Sequence, residues 1–97
     1  MQNKQKQKND YQIIPLDDWN NYFYTNCLDL SVTLLCKSYT LETIDTEPSG
    51  KATFVFKNDK GIESVIDEYW QNKITVDPLT FVTIRKTLKS RIYGMRK

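Results

Sequence analysis

The chain has 97 residues, 14 Lys or Arg against 12 Asp or Glu, no histidine and two cysteines. That length fits one domain with a modest core, and no apolar run approaches the roughly 18–20 residues of a membrane span. The net charge of +2 hides a segregation: residues 1–9 carry +3, residues 10–83 hold every acid and carry −7, and residues 84–97 carry +6 with no acid. Basic ends on an acidic body suit an anionic partner, or one molecule's ends meeting another's body.

Residues 1–10, with Lys4, Lys6 and Lys8, are polar and repetitive. No apolar segment follows these lysines, so they are not read as a secretory signal. They read as a disordered basic arm, and residues 11–97 as a single α+β domain with a basic C-terminal helix. Pro15 biases Ile14 toward extended backbone. Asp17 can cap a short helical turn that would put Trp19, Tyr22 and Phe23 on one face, with Tyr24 beside them. Such an aromatic cluster serves either as core or as a stacking surface for bases or a peptide.

Thr25 or Asn26 is a candidate cap for a helix over roughly Cys27–Lys37, whose Leu28, Leu30, Val32, Leu34, Leu35 and Cys36 leave few polar positions. The β-branched Val32 and Thr33 also permit a strand, but helix is preferred. Cys27 and Cys36 read as small buried hydrophobes in a reducing cytoplasm, and two cysteines without histidine make no zinc set. Tyr39–Asp45 and Lys51–Lys57 alternate as strands around the turn Glu47-Pro48-Ser49-Gly50, which predicts an antiparallel hairpin.

Asn58 or Asp59 can cap the next helix. Its Ile62, Val65, Ile66, Tyr69 and Trp70 follow i, i+3, i+4, i+7, i+8, while Glu63, Asp67 and Glu68 form a solvated face. Lys73–Val76 is a brief extended link or a third strand. Asp77 is then an N-cap and Pro78 suits the first helical position. In the final helix Phe81, Ile84, Leu88, Ile92 and Met95 lie within about 80° of arc at 100° per residue. Arg85, Lys89 and Arg96 flank that stripe, with Lys86, Tyr93 and Lys97 further round and Arg91 on the other flank.

These elements predict an antiparallel meander of two or three strands packed by three helices, in the order α-β-β-α-(β)-α. The expected core is Leu28, Leu34, Leu35, Leu41, Phe54, Phe56, Ile62, Val65, Ile66, Tyr69, Phe81, Ile84, Leu88 and Ile92. The run Tyr24-Thr25…Leu28…Leu30…Leu34-Leu35, then Phe54-Val55-Phe56, Ile66-Asp67-Glu68-Tyr69-Trp70, Val76-Asp77-Pro78 and Leu88-Lys89-Ser90-Arg91-Ile92-Tyr93 resembles a family of small uncharacterised domains of bacteria, their phages and mobile elements. The resemblance spans residues 22–93 and implies this order of elements and a prokaryotic or phage setting. It implies no activity. One departure is Ser38, where the family pattern calls for a glycine ending the first helix.

For function, there is no histidine, nucleophile elbow, phosphate-binding loop or metal-ligand spacing, so the chain reads as non-enzymatic, without cofactor, metal or small-molecule substrate. The first expectation is DNA or RNA binding without strong sequence specificity, through Arg85, Lys86, Lys89, Tyr93, Arg96 and Lys97, helped by Lys4, Lys6 and Lys8. The alternative is protein interaction or self-association through Trp19, Tyr22, Phe23, Tyr24, Glu63 and Asp67, as in a component of a phage assembly. Either suits a cytoplasmic protein, in the host cytoplasm if phage-encoded, without membrane attachment. Both expectations need the basic side chains to face water without carboxylate partners.

Overall fold

The computed structural model describes residues 21–95. The expected arm, the Asp17 turn and Trp19 lie outside these residues. The fold is α+β, with a three-stranded antiparallel sheet and three helices: β1 (Tyr22–Thr25), α1 (Leu28–Cys36), β2 (Leu41–Thr46), β3 (Ala52–Lys57), α2 (Ile62–Trp70) and α3 (Pro78–Met95).

The hairpin forms where the alternation predicts it. The Gly50 N–H donates to the Glu47 carbonyl at 2.8 Å, and Gly50 takes φ 95°, a conformation glycine adopts without Cβ strain. Register runs from Thr46↔Ala52 to Leu41↔Phe56, with an irregularity between Leu41 and Thr43. That extra residue keeps both Ile44 and Leu41 on the face of Phe54 and Phe56.

The third strand is not at Lys73–Val76, which is an irregular link. It is β1, paired antiparallel with β3 from Tyr22↔Lys57 to Thr25↔Phe54, so the strand order is β1-β3-β2 and not a meander. The aromatic density of Tyr22-Phe23-Tyr24-Thr25 therefore marks a strand and not a helical turn, because aromatic and β-branched side chains fit a pleated surface. Tyr22 and Phe23 consequently point to opposite faces, where a helix would have put them together. Phe23 packs against the core, and all three aromatics are half-buried.

The entry to α1 is tighter than the expected cap. Cys27, rather than Thr25 or Asn26, is the N-cap, and its thiol accepts from the Leu30 N–H at 3.4 Å. Thr25 accepts from the Cys27 N–H, and Asn26 donates to the Ala52 carbonyl and the Thr53 hydroxyl, tying the β1–α1 corner to β3. Both cysteines are free and half-buried, not fully buried. At the other end Ser38 takes φ 72°. Its N–H donates to the Leu35 carbonyl and the Tyr39 N–H to the Leu34 carbonyl, both at 3.0 Å. This is the Schellman ending, made here without glycine.

Neither Asn58 nor Asp59 caps α2. Gly61 stands at the N-cap with φ 89° and makes no side-chain cap bond. A Cβ there would lie 3.0 Å from the Tyr39 hydroxyl, which donates to the Lys60 carbonyl. Asn72 at φ 62° ends α2 in the same Schellman manner, with Lys73 N–H donating to the Glu68 carbonyl at 2.9 Å. Trp70 is turned outward, 63 % exposed, with its ring edge-on to Tyr69 at 4.9 Å. Position i+8 lies at the margin of the helix stripe, so the repeat alone does not bury it.

One cluster joins the sheet to all three helices: Leu30, Val32, Leu34, Ile44, Phe54, Phe56, Ile62 and Leu88. The other expected core residues pack against it half-buried. Leu30, Val32, Ile44 and Val55 are buried beyond that expectation. α1 is the hub, packing against both α3 and α2, more extensively against α3. Its middle is closed on every side, so even Ser31 and Thr33 are buried, and each returns its hydroxyl proton to a carbonyl one turn earlier.

Candidate nucleic-acid interface

α3 is an 18-residue helix without a single acid. Its start is fixed as the sequence predicts. The Asp77 carboxylate accepts from the Thr80 N–H at 2.8 Å and the Thr80 hydroxyl at 2.9 Å. These bonds hold the Asp77 carboxyl below its ordinary range, since they favour the charged form. Leu88 is fully buried against α1 and the sheet, while Phe81, Ile84 and Ile92 are half-buried. Met95 is 43 % exposed and so falls outside the expected apolar seal.

With that stripe turned inward, the outward arc is determined by helix geometry. Leu79, Val82, Lys86, Lys89 and Tyr93 lie within about 80° of one another at 100° per residue, and all five are exposed. Lys86 to Tyr93 spans about 10 Å along the axis at 1.5 Å per residue. Leu79 at 74 % exposure and Tyr93 at 62 % bracket the two lysines. The ridge is therefore aliphatic at its start, basic in the middle and aromatic at its end.

Arg85 departs from the expectation of an unpartnered cation. Its Nε donates to the Asp29 carboxylate at 2.8 Å, bridging mid-α3 to the first turn of α1. Asp29 is favoured there by the positive end of the α1 dipole. Both side chains are more than a third exposed, 41 % and 49 %, so solvent screening limits the pair to about 0.5–1 kcal/mol. Its main consequence is orientation: one guanidinium turns toward α1 and away from the ridge. Among the described residues Lys86, Lys89 and Arg91 make no salt bridge. Glu63 and Asp67 are exposed on α2 and do not meet the basic side chains. Lys4, Lys6, Lys8, Arg96 and Lys97 lie outside the described residues.

Other chemistry is sparse. An open cleft of about 330 Å³ is lined by Cys36, Lys37, Thr75, Val76, Asp77 and Thr80. Burial, then the Asp77 charge, pushes the Cys36 thiol up, so it stays protonated at neutral pH. Tyr69 lies 3.7 Å from the Cys27 sulfur, and burial, then that hydrogen bond, pushes its phenol up to about 12. Among the described residues no cluster of His, Cys, Asp and Glu could hold a metal, and no helix is long and apolar enough to cross a membrane.

The sequence reading missed Asp29, Leu79 and Val82. The aliphatic pair was findable, because both positions fall well off the inward stripe. The Asp29–Arg85 pair was not, because 56 residues separate its members and only the packing of α1 on α3 joins them.

No curated protein and no solved structure matches the chain. A family model described as a domain of unknown function, DUF5659, matches residues 20–94, from just before β1 to the last turn of α3. The match takes in the whole sheet and all but the last residue of the ridge-bearing helix, and on that coverage the chain belongs to the DUF5659 family.

Proposed function

We propose that this protein is a small non-enzymatic binding domain that uses the outer ridge of α3 on nucleic acid, without strong sequence preference. The observation that carries the reading is an acid-free helix whose solvent-facing arc presents Lys86 and Lys89 one turn apart, followed by Tyr93. Lysines bind phosphates at any sequence and release counterions, and an exposed phenol can stack on a base. With Arg85 engaged by Asp29, the ridge offers two phosphate contacts from the described residues. The motif resemblance adds a prokaryotic, phage or mobile-element setting and a cytoplasmic location to the proposal.

Binding of a generic single-stranded or duplex oligonucleotide at low salt tests it. Two phosphate contacts give a log–log salt slope of about −2 on duplex DNA and a shallower one on single strands. Lys86→Glu with Lys89→Glu should abolish that binding and leave the helical signal intact, since both residues are exposed. Absence of salt-dependent binding by the wild type at low ionic strength would end the proposal.

A second reading has its own observation. Leu79 and Val82 put exposed aliphatic surface on the same ridge, which phosphate binding does not use. A protein partner would cover them, and the acidic α2 face of another copy, with Glu63 and Asp67, has the complementary charge. Concentration-dependent sedimentation that vanishes in Leu79→Ser with Val82→Ser would favour this reading over the first.

A further inference from the structure

α2 and α3 each present a row of exposed side chains. On α2, Glu63, Asp67 and Trp70 stand at i, i+4 and i+7, within about 60° of one another at 100° per residue, and all three are exposed. That row is acidic at its start and aromatic at its end. On α3 the ridge runs from the aliphatic Leu79 and Val82 to Lys86 and Lys89, all exposed. Within one chain neither carboxylate pairs with either lysine, and both helices pack on α1. An indole has about 150–250 Å² to bury, and Trp70 keeps most of its surface in water.

Building on the second reading of the α3 ridge, we propose that the domain self-associates by seating the α2 row of one copy antiparallel on the α3 ridge of another. Trp70 then meets Val82 and Leu79, Asp67 meets Lys86, and Glu63 meets Lys89. Glu63 to Trp70 and Lys89 to Val82 are both seven residues, about 10.5 Å along the axis at 1.5 Å per residue. All three pairs therefore come into register together. Parallel seating would set Glu63 against Val82 and leave Lys89 without a carboxylate. Two α3 ridges laid face to face would set lysine against lysine. Charge thus fixes the direction and register of the contact, and Trp70 supplies the apolar area that holds it. Nucleic acid competes for Lys86 and Lys89 and does not add to this contact.

Sedimentation of the full chain over rising concentration at low salt provides the test. The wild type should associate, and added salt should weaken that association. Trp70→Ala should weaken it about tenfold or more, as loss of an aromatic anchor does, with the helical signal unchanged because the ring is exposed. Lys86→Glu with Lys89→Glu should be monomeric, and so should Glu63→Lys with Asp67→Lys. Mixed together, these two variants should associate again, because each row then meets its opposite charge on the other protein. Adding Trp70→Ala to both should remove the restored association, which separates docking from attraction between oppositely charged proteins at large. A mixture that stays monomeric, or association that survives Trp70→Ala, would overturn the α2 row as occupant. Where that surviving association vanishes in Leu79→Ser with Val82→Ser, the ridge still docks a protein and only the part of α2 falls. A wild type monomeric at every concentration, with Lys86→Glu and Lys89→Glu registering only on oligonucleotide binding, would overturn self-association and leave the nucleic-acid reading standing.

Discussion

Ser38→Gly should stabilise the protein. Ser38 sits at φ 72°, immediately after the C-cap of α1, and its N–H and that of Tyr39 close the helix. An L side chain in this left-handed conformation costs about 1–2 kcal/mol through the approach of Cβ to the following carbonyl. Glycine removes that clash but loosens the unfolded chain, which returns about 0.4–1 kcal/mol. Ser38 is exposed, so no packing is lost. The net gain is about 0.5–1 kcal/mol, or roughly 2–8 °C in midpoint for a domain of this size. Thermal unfolding followed by circular dichroism, with urea titration alongside, measures it. Asn72→Gly is the internal control. Asn72 holds the same position in α2 at φ 62°, but asparagine tolerates this region, so its gain should be near zero. Ser38→Val should fall below wild type, because a β-branched residue resists positive φ. A Ser38→Gly variant no more stable than wild type, or an Asn72→Gly variant that gains as much, would refute the argument that the helix ending is strained at Ser38.

Asp29→Asn should free the Arg85 guanidinium. If the α3 ridge binds nucleic acid, low-salt oligonucleotide affinity should rise about two- to fivefold and the salt slope should steepen by about 0.9. Weaker binding would mean that the pair is needed in place. Tyr69→Phe tests the raised phenol. The folded group holds its proton more tightly than the unfolded one, so its contribution is fully present below pH 10 and is lost as the pH rises toward about 12. The wild type should lose stability over that window more steeply than the variant. Asp77→Asn tests the opposite sign. The folded carboxyl is held below its unfolded value, so its stabilisation is present above pH 4 and fades as the pH falls through the folded value. Acid unfolding should therefore be shallower in Asp77→Asn, and identical profiles would count against a cap that depends on charge.

How much of this was legible varied with the range of the physics involved. The Asp77–Pro78 start of α3, the Glu47–Gly50 turn and the repeat of α2 from Ile62 to Tyr69 are set within a few residues, and they fold as read, with Trp70 at the end of that repeat turned outward. β1 was not legible as a strand, because four residues are too few for alternation to register and β3, its partner, lies about thirty residues on. Leu30 and Val32 were not separable from their neighbours, since a helix apolar all round shows no preferred face. The caps of α1 and α2 moved to Cys27 and Gly61 because tertiary contacts, of Tyr69 with Cys27 and of Tyr39 with the Lys60–Gly61 corner, set those corners. At the candidate site, helix arithmetic gave the direction of Lys86 and Lys89, but Arg85 was decided by a carboxylate from a distant part of the chain.

The strand order also governs what happens as the chain is made. β1 and the apolar α1 leave the ribosome first, yet neither can be completed until Phe54–Lys57 arrive about thirty residues later. At synthesis rates of about 5–20 residues per second, that interval is a few seconds. During it Leu30, Val32 and Leu34 have no sheet to settle on. A nascent chain of this design therefore carries its most apolar helix without a sheet to cover it for that interval, and this exposure follows from topology rather than from any weakness of the finished domain.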